Sequence, residues 1–487
     1  MLALSIAYGA LLVLLVLLES MRISKRGPDL LSLIGLFFVL QLVVPGMFLC
    51  GFLARRNGDW DLGGAFLEQV LREVRPETAG LVFSMTVMFL AALVIGYAAV
   101  DRVRRRSRSE FCRYERIDIE SKGAYKRWLL VMILGVAGMY LLVRMLGRDL
   151  ADGYINLIRF RAGDPGIERT ALTANLYSAT QAFLLISIFG FSFKVRHRLI
   201  RNLLSVLFSI VFVIASASRR AILIVPLLLI MSHVIGRGRW RFGRWVMIGV
   251  FGIVIIGIGK QVLSDISRQR DIGGVTESEG VLPKSIFLRT TCEVGISVIE
   301  SWATVMYVDI PRRFGIDHVL SVARRFPEGA IGLDIPFPER IVRLTTERFV
   351  GPDEQDIPPG LIGQTWLDFG FCGALIEGLA FGIFIGWVEG ILRRLDRDVA
   401  ITRPIYAVTA FVVALPFNTG SLDFNFSIDI FILLALLLII FPRSVSLWRR
   451  GSAKKTSHES MANSAKVSLH KFRMSYLPVS HCKTPEC

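Results

Sequence analysis

Apolar residues run along nearly all of this chain in stretches long enough to cross a bilayer, which takes about 20 residues as a helix. The pattern predicts spans at 2–18, 30–53, 79–100, 128–147, 171–193, 202–218, 221–236, 245–260, 361–391, 404–418 and 426–442. Pro45, Pro226 and Pro416 fall inside spans, where neighbouring helices tolerate them. The run Leu203–Ile235 is interrupted by IASASRRAIL, Ile214 to Leu223. An arginine at the bilayer centre costs about 2.5–3.5 kcal/mol on insertion scales. The run therefore reads as two spans, with Arg219 and Arg220 at the hairpin tip between them.

Composition agrees with the pattern. With 53% hydrophobic residues and a mean hydropathy of +0.54, the chain falls outside soluble globular proteins. Alternating strand-sized segments are not evident, which argues against a barrel. The expected fold is all-α: a polytopic helix bundle of about eleven transmembrane helices.

The net charge of +17 would suit nucleic acid, but its distribution points to insertion instead. Segments 19–29, 101–127, 194–201, 237–244 and 393–403 hold 25 Lys and Arg in 65 residues. The intervening segments 54–78, 148–170 and 219–220 hold 10 in 50. The positive-inside rule makes the basic set cytoplasmic, with the N-terminus outside and the C-terminus inside. Every alternation agrees, and merging 202–236 into one span would reverse all that follows. The first span, Leu2–Leu18, has no basic leader and no small-residue cleavage site, so it reads as retained.

Four regions follow: a bundle over 1–260, a large extracytoplasmic loop over 261–360, a second bundle over 361–442 and a basic, disordered tail over 443–487. In the loop, Leu288, Cys292, Ile296, Ile299, Trp302 and Met306 recur at helical spacing, with Arg289, Glu293, Ser297, Glu300 and Thr304 opposite and Arg289 four residues before Glu293. That is the pattern of a helix along the membrane surface or roofing the bundle. A second stretch, Pro338–Val350, sets Arg343 four residues before Glu347.

The six cysteines show no CxxC spacing, and no His/Asp/Glu set has recognisable metal spacing. No P-loop or dinucleotide fingerprint occurs, and no metal or cofactor is expected. The polar features collect on the external side. Arg159 and Arg161 flank Phe160 in segment 148–170, and Ser218, Arg219 and Arg220 form the hairpin tip. The large loop supplies His318 and Arg348, and the last two spans are joined through Asn418, Asp423 and Asn425. Guanidinium forks suit phosphate oxygens, while aromatics and carboxamides suit sugars. His318 is one of six histidines, in an unremarkable loop, and gives only a weak general-base reading.

The stretch PPGLIGQTWLDFGFCGALIEGLAFGIF, Pro358 to Phe384, starts a span whose N-terminal end faces outward. A helix N-terminus offers free N–H groups and partial positive charge to an anion. Gln364 and Asp368 lie one turn apart just inside it, and Asp368 is an intramembrane ionisable residue.

IASASRRAILIVP and PPGLIGxxWLDFGFxG resemble the external hairpin and a late-span start of the Wzy-type polymerases of O-antigen and capsular repeat units. The eleven-span layout and the long loop before the late span are similar too, and the likeness covers most of the membrane portion. Arg340 and Gly351 have the spacing of the family's Arg-to-Gly pattern, a spacing chance supplies readily here. Segment 148–170 departs from that pattern, and the basic tail looks unlike the family.

The resemblance implies a glycosyltransferase on the outer side of the bacterial inner membrane. It would move a growing glycan from undecaprenyl diphosphate onto a new lipid-linked repeat unit, without a nucleotide sugar or a metal. Arg219, Arg220 and Asp368 take the catalytic positions, and Arg159, Arg161, Ser218, Arg348, Gln364, Asn418 and Asp423 face substrate. The implied partners are the undecaprenyl-diphosphate-linked oligosaccharide, the lipid bilayer, and a chain-length regulator and flippase of the same pathway, with no nucleic acid. Two alternatives stand beside it: an O-antigen ligase-like enzyme, which typically depends on a His in its large external loop, and a non-enzymatic transporter of lipid-linked oligosaccharide.

Overall fold

A computed structural model of the chain describes residues 1–26, 29–55, 65–107, 122–162, 167, 170–193, 197–216, 225, 228–229, 231–232, 291–292, 294–323, 341–349, 357–393, 402–419, 431–432, 434–436 and 439. These residues are about 91% helical, with no strand among them, in keeping with an all-α helical membrane protein. All the helices placed below belong to one compact unit, Met1–Leu436.

Seven segments are long and apolar enough to cross a membrane: Leu2–Ile23, Leu30–Arg55, Pro76–Val103, Gly123–Leu146, Leu172–Ser192, Arg198–Ser216 and Leu361–Leu392. They coincide with seven of the predicted spans. Predicted span 404–418 falls in a helix whose apolar part, Thr402–Ala414, is shorter. Spans 221–236, 245–260 and 426–442, the boundary near residue 260 and the tail lie wholly or mostly outside the described residues.

In chain order the helices are α1 (Leu2–Arg26), α2 (Leu30–Phe38), α3 (Val44–Arg55), α4 (Ala65–Glu73), α5 (Pro76–Ser107), α6 (Lys122–Leu146), α7 (Leu150–Ala162), α8 (Ala171–Leu185) and α9 (Arg198–Ser216). Then come α10 (Ile296–Tyr307), α11 (Ile316–Ala323), α12 (Ile341–Phe349), α13 (Leu361–Phe369), α14 (Gly373–Leu392) and α15 (Thr402–Thr419). The second span passes from α2 to α3 through a π turn, Val39–Val43. Pro45 has no N–H to offer the Gln41 carbonyl one turn back, and Val44 reaches Val39 O instead.

Helix association in lipid depends on close packing rather than on hydrophobic drive, so small residues gather at contacts. The packing of α14 on α5 shows this. Gly378, Gly382 and Gly386 follow each other at one-turn intervals and lie against Phe89, Leu93, Tyr97 and Val100. A Cβ on Gly382 would fall on the Leu93 carbonyl oxygen, and one on Gly96 would meet Leu379 O. The two helices run parallel, so the start of α14 lies toward the start of α5. On α1, by contrast, Leu2, Ile6, Val13, Leu14 and Leu17 are exposed, as a lipid-facing helix requires.

Two predicted loop features take a different form. Segment 148–170 is largely helix α7, and Phe160 is buried against Leu142, Val143 and Leu157, with Tyr177 edge-on to its ring. Phe160 is therefore core and not a sugar platform. Helix α10 does not lie along a surface. Ile299 and Trp302 on one face and Ser297, Glu300 and Thr304 on the other are all buried. The polar face meets α13, where its hydroxyls bond backbone, which makes burying it affordable.

At the far end of α14 a charge network staples several helices. Asp29 caps α2 and accepts from Arg22 of α1 and from Tyr97 of α5, the latter at 2.7 Å. Glu389 accepts from the Leu30 N–H at 3.0 Å, from Arg393 Nε at 2.8 Å and from Tyr406 of α15 at 3.5 Å. Arg393 also donates to Asp101 at 3.0 Å. Burial alone would raise the Asp29 carboxyl, but the Arg22 guanidinium beside it outweighs that and holds it below the ordinary carboxylate range.

Candidate functional site

The site forms where the late span breaks. Gly360, at φ +70°, opens α13, and Gly370, at φ +65°, closes it after only nine residues. Both conformations favour glycine. A Cβ on Gly360 would also strike the Ser297 carbonyl. The chain then makes one 3-10 turn, Gly370–Cys372, before resuming as α14. A single helix over 361–391 is thus replaced by two.

The free ends of α13 are satisfied by the large loop. At its start, Leu361 N donates to Ser297 Oγ and Gly363 N to Ser301 Oγ, both at 3.2 Å, while Thr304 Oγ1 donates to Pro359 O at 3.0 Å. These serines take two of the N–H groups that the sequence offered to a phosphate. Thr345 of α12 donates to Ile357 O, and Ile357 N to Thr346, both at 2.6 Å, fixing the approach.

At the other end, Arg313 N donates to Leu367 O at 3.1 Å and Phe314 N to Asp368 O at 3.0 Å. Arg312 donates to Trp366 O and lies over the Trp366 ring, 4.6 Å from its centroid. Phe314 has a φ of +53°, the one non-glycine residue beyond zero among those described. Such strain persists only where the surroundings over-determine it, and it concentrates at functional sites.

This strand of loop delivers His318, in the first turn of α11, onto Asp368. Nε2 of His318 lies 3.4 Å from Asp368 Oδ2 and 3.8 Å from Glu377 Oε2, on the second turn of α14. Asp368 is fully buried and also accepts from Gly315 N at 3.1 Å and from Gln364 Nε2 at 2.9 Å. The His318 side chain keeps 26% of its surface exposed, so it is the member reached from outside. Burial opposes charge on this imidazole, but Asp368 and Glu377 outweigh it and push His318 up to about 10. Two buried acceptors, Gln364 Oε1 and Glu377 Oε1, have no hydrogen-bond partner among the described residues. Arg313 pairs with Asp317 at 2.6 Å, while Arg312 remains exposed beside the cluster.

Of the predicted site residues, the structure brings together Gln364, Asp368 and the weakly favoured His318. Arg159 on α7 and Arg348 at the end of α12 are exposed and make no hydrogen bond or ion pair among the described residues. Arg161 and Asn418 lie in α7 and α15, and their side chains are outside the description, as are Ser218, Arg219, Arg220 and Asp423 altogether. The described end of α9 is held toward α7 and α8: Tyr154 Oη donates to Ile214 O at 3.3 Å and Tyr177 Oη to Ser216 O at 2.9 Å. The described part of α9 thus ends beside the helix that carries Arg159.

Sequence reasoning missed Glu377. It is an ionisable residue inside an apolar run, and the rule that singles out Asp368 applies equally to it. Arg312 and Phe314 carried no sequence signal. Compared with known protein families, curated proteins and solved structures, the chain finds no match.

Chemically, an imidazole and two carboxylates in a mostly dry site can accept, hold and pass a proton. They can equally hold a cation. The exposed guanidinium of Arg312 adds a cation suited to phosphate oxygens.

Proposed function

We propose that this protein is a membrane glycosyltransferase that polymerises lipid-linked oligosaccharide repeat units on the outer face of a bacterial inner membrane. The observation that carries the reading is the His318–Asp368–Glu377 cluster at the break in the late span, where the sequence resembles the Wzy-type polymerases. In the proposed step, a hydroxyl oxygen of the acceptor repeat unit bonds to the anomeric carbon of the growing glycan. The bond from that carbon to undecaprenyl diphosphate breaks, and the diphosphate leaves with the electron pair. The hydroxyl proton passes to the cluster. Arg312, with Arg219 and Arg220 of the hairpin, stabilises the departing charge. The eleven-span topology, with both hairpin and cluster outside, belongs to this proposal.

The test is the repeat-number ladder of surface polysaccharide on a gel. Asp368→Asn, at normal protein level, is expected to collapse the ladder to single repeats. An unchanged ladder contradicts the reading. A second reading, an O-antigen ligase-like transfer, gains support from the position of His318 in the cluster. The two separate on the same gel: a ligase variant loses every attached repeat, whereas a polymerase variant keeps single-repeat transfer.

A further inference from the structure

We infer that His318, Asp368 and Glu377 form a binding site for one first-row divalent metal ion of the Mn²⁺ or Zn²⁺ class. The ligand atoms gather near the spacing an ion requires, and small side-chain movements would close it. Bonds of about 2.0–2.2 Å to nitrogen and oxygen place neighbouring ligand atoms roughly 3.0–3.6 Å apart. Here Nε2 of His318 stands 3.4 Å from Asp368 Oδ2 and 3.8 Å from Glu377 Oε2, and the three ligand atoms all lie within 4.8 Å of one another. No other such trio gathers among the described residues.

The second observation is the state of the surrounding acceptors. Glu377 is 8% exposed and Gln364 fully buried, yet Glu377 Oε1 and Gln364 Oε1 have no hydrogen-bond donor among the described residues. Buried oxygens of native proteins are ordinarily paired. Glu377 places its other oxygen in the cluster, and the Gln364 amide lies against the Asp368 carboxylate. What these acceptors lack among the described residues is a donor or a cation, and a divalent ion supplies the latter.

One imidazole with carboxylates and no thiolate suits Mn²⁺ or Zn²⁺ better than the all-oxygen sites of Ca²⁺ and Mg²⁺. Gln364 and the Gly315 N–H, both bonded to Asp368, orient that ligand from behind, the support a metal-binding carboxylate normally has. The family that the sequence resembles works without a metal, so the inference goes beyond that reading and does not depend on glycosyl transfer.

The experiment uses the full chain in detergent, without a polyhistidine tag, stripped with EDTA and titrated with Mn²⁺. Mn²⁺ is preferred to Zn²⁺ because Cys482 and Cys487 in the tail offer thiolates, and His481 an imidazole, to zinc. Free Mn²⁺ is read by electron paramagnetic resonance. The wild type is expected to bind about one equivalent, and Glu377→Gln and His318→Ala to bind at least about tenfold more weakly. Glu347→Gln, which alters a carboxylate paired with Arg343, is expected to match the wild type.

Equal binding by all four proteins, or none by the wild type, overturns the inference. Should the variants fail to fold, modification of His318 by diethyl pyrocarbonate in the wild type decides: protection by Mn²⁺ supports the site, and its absence overturns it. Metal content and the polysaccharide ladder are separate readouts. A variant that loses Mn²⁺ but keeps a full ladder contradicts the glycosyltransferase reading alone, and the reverse contradicts the metal site alone.

Discussion

Helix α14 carries a buried glutamate near each end, and the two sit in opposite kinds of surroundings. Glu389 meets a backbone N–H, the Arg393 guanidinium and the Tyr406 hydroxyl, within a network that ties α1, α2, α5, α14 and α15. Glu377 shares one imidazole with Asp368, and its other oxygen has no donor among the described residues. Both carboxylates bear the cost of burial in low dielectric. At Glu389 the network repays it with hydrogen bonds that fix helices in place. At Glu377 the repayment is incomplete, and the acceptor is kept for something else. A saturated buried network is a structural device, whereas one with spare acceptors is prepared for a proton, a cation or a substrate donor.

Substitutions at the two ends test that contrast. The largest expected effect on stability is at the saturated end. Glu389→Ala leaves the Leu30 N–H without its acceptor and takes from Arg393 one of its carboxylate partners, Asp101 remaining, and removing one partner of a buried pair costs up to about 3–5 kcal/mol. A thermal melt in detergent should show a protein that is largely unfolded or barely expressed. Gly382→Leu attacks the seam that holds both ends: its side chain collides with Leu93 backbone, and overpacking of this kind costs about 1–3 kcal/mol or more. It should lower the melting temperature and the polymer length together.

Asp368→Asn acts at the open end. It should collapse the repeat ladder while the melting temperature moves less than in Glu389→Ala, because the Gly315 N–H can still bond an oxygen in place of Oδ1 and Gln364, by turning its amide, can accept from the new NH2 in place of Oδ2. A pH dependence sharpens the comparison further. Asp29 is held below the ordinary carboxylate range, so its contribution to stability is complete above its unfolded pKa of about 3.9 and is lost as pH falls toward its folded value. Melting temperature should be flat from neutral pH to about 5 and fall steeply below about 4, and Asp29→Asn should flatten that fall. The smallest effect belongs to Arg348→Ala, whose exposed side chain has no described partner and whose loss should shift stability by less than about 0.5 kcal/mol.

The sequence made the membrane architecture legible because apolar run length and the bilayer impose the same constraint. Seven spans fall where the runs predict them. It also placed Gln364 and Asp368 on one helical face, and they are hydrogen-bonded at 2.9 Å. What it hid depends on contacts between distant segments. Helix α10 has the alternation of a surface helix, yet its Ser297, Ser301 and Thr304 are buried because they serve the backbone of α13. Phe160 stands between two arginines in sequence but packs into a core with Leu142, Val143 and Leu157. His318 lies fifty residues before Asp368, and only the loop that caps the broken span joins them. The glycines at 360 and 370 read as ordinary members of an apolar run, since their positive φ values have no signature in composition.

The contrast between the two ends of α14 is tested most directly by making one isosteric change at each, Glu377→Gln and Glu389→Gln. Melting temperature and repeat-number ladder are then measured on both variants. The expected result is a dissociation. Glu377→Gln keeps a melting temperature within a few degrees of the wild type and loses the ladder, while Glu389→Gln loses melting temperature and keeps a ladder in proportion to the folded protein that remains. If Glu377→Gln retains the full ladder, or if both variants lose stability alike, the open cluster is structural and its assignment as the working site is wrong.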